Sequence, residues 1–212
     1  MSNKFRRHRL AIQSSGRLRE DSLEYMGSLG AEFSLADDRR LIQACQSFNL
    51  DIISVRHSDI PRYVASGAAD YGICGINVLA ELNITAKVIT TLPFGFCKLV
   101  IAVPESSSMQ TIADLEGERI ATAYPGSLER WLQDQNIHAA IIPIRGSVEV
   151  SVELNLADAI CDLTQSGRTL KAHQLIPLVT ILESQAVLIQ SPHASKPFFE
   201  LIEKNKSYVV EK

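Results

Sequence analysis

Residues 157–170 read ADAICDLTQSGRTL, the pattern of a buried strand, a polar turn and the first turn of a helix. A short apolar run bounded by turn residues predicts a strand, here over 159–163. The turn that follows, Gln165–Thr169, contains Gly167, which permits a positive φ or a close backbone approach. Consecutive N–H groups in such a turn can hold a phosphate at a helix N-terminus. The stretch therefore predicts an anion-binding loop over Asp162–Thr169.

The side chains of this loop suggest a sugar phosphate as the ligand. Thr164, Ser166 and Thr169 add hydroxyl donors to the backbone amides. Asp162, just before the turn, could accept hydrogen bonds from ribose hydroxyls beside a bound phosphate. The alternative interpretation is an ordinary strand–turn–helix connection with a serine cap, because short turn motifs are common by chance.

Two further polar turns follow predicted strands. In the turn Gly146-Ser147-Val148-Glu149, Ser147 is predicted to cap a helix that carries Glu149 in its first turn, over the ribose or a metal. In Gln13-Ser14-Ser15-Gly16-Arg17, Ser15 is predicted as the cap and Arg17 as a bidentate phosphate ligand. Simple helix capping remains the alternative interpretation of both turns.

Apolar runs alternate with amphipathic segments along the chain, which predicts an α/β fold. The predicted strands are 9–13, 41–44, 50–55, 71–74, 87–92, 98–103, 119–123, 139–144, 159–163, 175–182 and 185–190; the predicted helices are 18–29, 59–65, 77–82, 111–115, 128–135, 148–154 and 197–204. The alternation predicts mostly parallel sheets with covered faces. Crossing points near residues 92 and 183 predict two lobes, 1–93 plus 184–212 and 94–183, with a ligand cleft between them at the carboxyl ends of strands.

The composition is that of a globular protein, with 212 residues, 46% hydrophobic and 21% charged. A formal net charge of -3 does not favour nucleic acid as a partner. The four cysteines form no C-x-x-C pair and the five histidines no metal-binding spacing, so we expect reduced thiols and no structural zinc. No signal peptide or membrane-spanning run is visible, which predicts a cytoplasmic protein without a membrane partner.

Five segments resemble one known family in family order. They are RLAIQSSGRLREDSLE (9–24), DIISVRHSDIPRYVASGAADYGICGINVL (51–79), ERIATAYPGSLERWL (118–132), GSVEVSVELNLADAICDLTQSGRTL (146–170) and QAVLIQ (185–190). The chain resembles the catalytic portion of the ATP phosphoribosyltransferases, glycosyltransferases (pentosyltransferases) that begin histidine biosynthesis. The fourth segment is highly specific, and the match covers nearly the whole chain.

The resemblance implies a two-lobed fold similar to type II periplasmic binding proteins. It implies that ATP and 5-phosphoribosyl 1-pyrophosphate (PRPP) condense to phosphoribosyl-ATP and pyrophosphate, with Mg²⁺ held through substrate phosphates rather than directly by the protein. It implies a catalytic group of Glu149, Asp162 and Arg17. The implied PRPP-binding residues are Asp162, Leu163, Thr164, Gln165, Ser166, Gly167, Arg168 and Thr169, and the implied ATP-binding residues are Gly16, Arg17, Arg56, Asn77, Val78 and Tyr124.

The same resemblance implies a short family form, because longer members continue into a regulatory domain near where this chain ends. Short forms work as a homodimer or larger assembly with a subunit similar to histidyl-tRNA synthetase; an excised domain of a long form is the alternative. Two other hypotheses remain open at this point. One is a small-molecule sensor of the same fold, and the other is a subunit with little activity of its own.

Overall fold

The computed structural model describes residues 7–33 and 41–202. Contacts divide the chain into two compact units. The first comprises Met1–Leu79, Ile84–Gly95 and Gln185–Lys212, and the second comprises Ala80–Asn83 and Phe96–Ser184. Each unit is built around one β-sheet, so the α/β prediction is confirmed.

The helices and strands alternate along the chain as the sequence predicts. In order they are β1 (His8–Gln13), α1 (Arg17–Ser28), β2 (Ile42–Ala44), β3 (Leu50–Val55), a 3₁₀ turn (His57–Asp59), α2 (Ile60–Ala65), β4 (Tyr71–Gly75), α3 (Ile76–Leu82), β5 (Lys87–Thr91), β6 (Cys97–Pro104), a 3₁₀ turn (Ile112–Leu115), β7 (Arg119–Thr122), α4 (Pro125–Gln135), β8 (Ala140–Pro143), α5 (Val150–Glu153), β9 (Ala159–Thr164), α6 (Arg168–Ala172), β10 (Leu175–Ser184) and β11 (Ala186–Gln190). Residues 198–202 are helical, and the rest of the predicted 197–204 helix lies outside the described residues.

Both sheets are mixed, which corrects the expectation of mostly parallel strands. The first has the order β2-β3-β1-β4-β11-β5, and the second has the order β10-β6-β9-β7-β8. Among the described strands, four of the nine pairings are parallel: β1 with β3 and β4, and β7 with β8 and β9. The strands next to the crossovers, β6, β10 and β11, pair antiparallel. Three adjacent parallel strands therefore remain in each sheet, β3-β1-β4 in the first and β9-β7-β8 in the second.

Each sheet buries both faces, which is why its central strands are almost continuously apolar. On β1, Leu10 and Ile12 belong to one apolar cluster and Ala11 to another, because successive side chains point to opposite faces. On β9, Cys161 and Ile160 divide in the same way. Burial of each large apolar side chain stabilises the fold by about 1.5–3 kcal/mol.

Two predicted helix caps are wrong. Gly16, with φ of 84°, stands at the N-cap of α1, and no side chain caps that helix, so Ser15 does not. Glu149 itself stands at the N-cap of α5, again without a side-chain cap, while Ser147 has a φ of 48°. Ser15 lies one residue before the N-cap of α1, and Ser147 lies two residues before the N-cap of α5, so neither serine stands in the capping position.

The four cysteines carry free thiols, as expected. Cys45, Cys74 and Cys161 are buried, and Cys97 is half-buried. Among the described helices, none combines the length and the apolar character that crossing a bilayer requires.

Candidate functional site

In the second unit, the predicted site residues follow three neighbouring parallel strands. Tyr124 follows β7, Glu149 follows β8, and the predicted anion-binding loop follows β9. Because β9, β7 and β8 are adjacent and parallel, their carboxyl ends meet at one edge of the sheet. Ligands of open α/β sheets bind outside such an edge.

The predicted anion-binding loop, Asp162–Thr169, connects β9 to α6. Gly167 occupies the N-cap of α6 with a φ of 70°, a left-handed conformation that favours glycine. Its N–H donates to Thr164 Oγ1 at 3.0 Å, so this amide and this hydroxyl bond to each other within the loop. The first turn of a helix presents N–H groups that find no acceptor inside the helix. In α6 the Lys171 N–H donates to the Gly167 carbonyl, and the N–H groups that precede it include those of Arg168 and Thr169, both exposed residues.

The predicted catalytic carboxylates lie at the base of this loop. Asp162 is half-buried near the end of β9, and its Oδ1 accepts a hydrogen bond from the Leu163 N–H at 2.8 Å. Burial raises the pKa of the Asp162 carboxyl, and the negative charge of Glu149 raises it further. The structure thus brings Glu149 and Asp162 into one electrostatic group beside the loop.

The first unit repeats this arrangement with its own parallel strands. Gly16 and Arg17 follow β1, Arg56 follows β3, and Asn77 and Val78 begin α3 just after β4. These three strands are neighbours in the order β3-β1-β4, and the Ser14 N–H donates to the Val55 carbonyl at 2.8 Å across their ends.

The predicted residues of the first unit differ in exposure. Arg17 and Arg56 are exposed at the edge of the sheet, where they can meet an anionic ligand, whereas Asn77 and Val78 are buried. The buried side chains of Asn77 and Val78 therefore offer little surface to a ligand, and they are better suited to supporting the end of the sheet from below.

His57 belongs to this edge, although sequence reasoning did not select it. Its Nε2 accepts a hydrogen bond from the Gly75 N–H at 3.0 Å. Burial lowers the pKa of His57 to about 4, so the imidazole is neutral and can act as this acceptor. A Cβ at Gly75 would collide with Asn77 Oδ1. Gly75, the second glycine of DYGICG, was the available signal in the sequence, since a glycine in a strand often marks a close approach.

Thr122 is a second residue that sequence reasoning missed. It is fully buried at the end of β7, where its hydroxyl donates to the Cys161 carbonyl at 2.7 Å and accepts from the Tyr124 N–H at 2.8 Å. The hydroxyl thereby links β7 to β9 and sets the backbone at Tyr124. No motif in the sequence marks a single threonine for this role.

Metal-binding side chains do not gather in the described residues. Over 7–33 and 41–202, no three or more His, Cys, Asp and Glu side chains are close enough to hold a metal ion together.

A family model described as HisG: ATP phosphoribosyltransferase matches residues 56–207, well over half of the chain. The chain belongs to the ATP phosphoribosyltransferase family. The resemblance inferred from the five sequence segments is thus confirmed. The loop after β9 and the Glu149 turn both lie inside the matched region, as do Arg56, Asn77 and Tyr124, whereas Gly16 and Arg17 precede it.

Individual proteins of known name agree with this assignment. The ATP phosphoribosyltransferase of Maricaulis maris (strain MCS10) is 43% identical over 190 residues, which cover 87% of this chain and 64% of that protein. The chain therefore spans a little under two thirds of that relative's length. A solved structure of the ATP phosphoribosyl transferase (HisG:HisZ) complex from Thermotoga maritima matches with a TM-score of 0.78 and 28% identity, over 95% of this chain and 99% of the matched chain.

The fold extends beyond the ATP phosphoribosyltransferases. A periplasmic sulfonate-binding protein, SsuA from Methylobacillus flagellatus KT, matches with a TM-score of 0.53 and 15% identity, over 97% of this chain and 69% of that one. This likeness concerns the fold alone, and it confirms the predicted similarity to periplasmic binding proteins.

Proposed function

We propose that this chain catalyses the ATP phosphoribosyltransferase reaction, the first step of histidine biosynthesis. The reaction joins N1 of the ATP adenine to ribose C1 of PRPP and releases pyrophosphate. One observation carries the proposal: in a member of this family, the loop Asp162–Thr169 opens a helix at the carboxyl end of β9, with Glu149 acting electrostatically on Asp162.

In this proposal the loop binds the ribose 5-phosphate portion of PRPP. The backbone N–H groups of the exposed residues Arg168 and Thr169 and the hydroxyls of Ser166 and Thr169 act as phosphate donors, and the positive end of the helix favours the anion. Asp162 accepts hydrogen bonds from the ribose hydroxyls. Leu163 supports this site through its N–H, which donates to Asp162 Oδ1, while its side chain packs into an apolar cluster of the second unit.

The chemistry requires charge stabilisation more than proton transfer. Adenine N1 already has a lone pair, which forms the new bond to C1 while the C1–oxygen bond breaks and its electron pair leaves with pyrophosphate. Positive charge develops at C1, as it does in glycoside hydrolysis. The carboxylates of Asp162 and Glu149 would stabilise that charge, and placement of both substrates could contribute ~7–11 kcal/mol.

For the first unit we propose the nucleotide-binding role. Arg17 and Arg56, exposed after β1 and β3, would pair with polyphosphate oxygens, and the Gly16 turn lets the chain approach the ligand. Asn77 and Val78 would form the base of this site. The nucleotide contact of Tyr124 and the lobe boundaries at residues 93 and 184 remain predictions.

Mg²⁺ fits the proposal as a substrate-bound ion. In this proposal the substrate phosphates hold the ion, a binding mode in which Mg²⁺ needs few protein ligands. When bound, it would neutralise the departing pyrophosphate. We also propose a cytoplasmic hetero-oligomer with a regulatory subunit, in line with the named HisG:HisZ complex of the Thermotoga structure.

The decisive experiment is a product assay with ATP, PRPP and Mg²⁺, run on the chain alone and with its regulatory subunit added. We expect phosphoribosyl-ATP and pyrophosphate in equal amounts, and none when ATP is omitted. A small-molecule sensor would release no pyrophosphate under either condition, which would overturn the proposal. Activity only in the presence of the partner would identify the chain as a subunit with little activity of its own.

A further inference from the structure

His173 lies between two glutamates next to the predicted anion-binding loop. Its Nδ1 is 2.6 Å from Glu153 Oε1, and its Nε2 is 3.9 Å from Glu149 Oε1. The imidazole is 27% exposed, so it is only partly shielded from solvent while each nitrogen faces a glutamate. Glu149 and Glu153 occupy the two ends of the same short segment around α5.

The backbone ties His173 to the loop itself. His173 is the C-cap of α6, and its N–H donates to the Thr169 and Leu170 carbonyls at 3.2 and 3.1 Å. The short helix α6 therefore begins next to Gly167 and ends next to His173. A histidine at a helix C-terminus is also favourably placed to carry positive charge.

We propose that His173, oriented by Glu153, is a positioning residue for Glu149 and supplies the positive charge beside the Glu149–Asp162 pair. The inference rests on the proposed function of those two carboxylates. Sequence reasoning assigned no role to His173 or Glu153.

Glu149 and Asp162 are two like charges that act on each other. Burial raises the pKa of the half-buried Asp162, and Glu149 raises it further because the two carboxylates repel each other when both are ionised. A neighbouring cation reduces this repulsion. Because Glu153 is hydrogen-bonded to Nδ1, protonation of the imidazole places the second N–H, at Nε2, toward Glu149.

Other charged groups near His173 belong to several elements. Lys171 lies two residues earlier on α6. Glu105, Glu118 and Asp158 line the same cavity as His173 and Glu153. Among the described residues, the charged side chains that line this cavity are acidic apart from His173. Arg119, which borders the lining, is already paired with Asp158 at 2.7 Å.

The kinetic test compares kcat/KM for PRPP across pH in wild type, His173→Gln and His173→Arg. Loss of the cation should move the acid limb of His173→Gln upward by about one pH unit, since one opposite charge shifts a carboxylate by about that much. The variant should then lose up to about tenfold along the acid limb and converge with wild type at pH values above that limb. His173→Arg should restore the wild-type limb. A pH-independent loss, or no loss, would overturn the inference.

His138→Gln is the matched control, because His138 pairs with Glu116 at 3.3 Å in the same unit but is 84% exposed. It should keep the wild-type profile. Glu153→Gln should change the profile in the same direction as His173→Gln, since it releases the imidazole.

A second measurement separates this inference from the proposed function. The ¹⁵N NMR signals of the His173 imidazole can be assigned in the full chain by their loss in His173→Gln. They should change in Glu149→Gln and in Glu153→Gln. They should not change in Glu116→Gln, because Glu116 pairs with His138. That result needs no catalysis. Unchanged His173 signals in both variants would refute the positioning role even if the wild type is active, whereas an inactive wild type with coupled signals would refute only the catalytic proposal.

Discussion

His57 Nε2 accepts a hydrogen bond from the Gly75 N–H, with 3.0 Å between the two nitrogens. His57 follows β3 and Gly75 ends β4, and these strands are not neighbours, because β1 lies between them. A single imidazole thus connects the ends of two strands across a third. Burial keeps it neutral by lowering its pKa to about 4.

We predict that this histidine makes stability depend on pH. The folded state holds the His57 pKa at about 4, below its ordinary 6.5, so the folded protein binds fewer protons than the unfolded chain between those values. His57 therefore disfavours folding progressively as pH falls from 6.5 towards 4, by up to about 3 kcal/mol. Urea unfolding across this range measures the effect.

His57→Gln should flatten this part of the stability profile, because the amide oxygen accepts from Gly75 without titrating. His57→Phe should instead cost about 1–3 kcal/mol at every pH, since the Gly75 N–H loses its acceptor. Exposed His138 gives the control variant, His138→Gln, which should retain the wild-type slope. An unaltered slope in His57→Gln would show that other groups cause the acid sensitivity.

Asp162→Asn should separate catalysis from stability. Because burial raises the pKa of Asp162 in the folded state, the ionised carboxylate opposes folding at neutral pH, and its contribution improves only as pH falls. Asparagine removes that charge and keeps an oxygen for the Leu163 N–H. We expect an unchanged or higher melting temperature and kcat lower by at least about tenfold. Wild-type turnover would exclude Asp162 from the reaction, and Glu149→Gln should follow the same pattern.

Thr169→Ala should weaken PRPP binding much more than ATP binding. Thr169 is exposed in the first turn of α6, and loss of one donor to a charged phosphate costs about 1.5–3 kcal/mol, roughly 10–100-fold in Kd. Thr169→Ser keeps the hydroxyl and serves as the control. Calorimetry with each ligand gives the answer, and an equal loss for PRPP and ATP would contradict the assignment.

Thr122→Val should destabilise the second unit and disturb the turn at Tyr124. Valine fills the same volume but offers neither the donor for the Cys161 carbonyl nor the acceptor for the Tyr124 N–H, so we expect a loss of about 1–3 kcal/mol. Thr122→Ser should recover most of it. If Thr122→Val unfolds at the wild-type urea concentration, the two hydrogen bonds contribute nothing net.

Local pattern was sufficient for most elements of this fold. The strand over 50–55 was predicted with the observed bounds, and Ala159–Thr164 extends the predicted strand by one residue. These segments are apolar and buried on both faces, so composition and length identify them. The helix starts were less predictable. The N-caps are Gly16 and Glu149, not the predicted Ser15 and Ser147, and both turns contain a residue with positive φ.

Strand direction and cross-strand partners depended on the folded chain. An apolar run such as β10 or β11 does not encode which neighbour it meets, and both pair antiparallel where parallel pairing was expected. The bonds of His57 to Gly75, Thr122 to Cys161 and His173 to Glu153 join residues 18, 39 and 20 positions apart, with no motif between them.

From its residues alone this chain could be assigned an α/β fold and a family, and a phosphate-binding loop could be predicted, because periodicity, turn composition and the order of motifs are properties of neighbouring residues. The sequence could not show three other features in the same way. They are the raised pKa of Asp162, the neutral imidazole of His57 and the group formed by Glu149, Glu153 and His173. Burial and charge act through space, so these features exist only once distant segments are packed together.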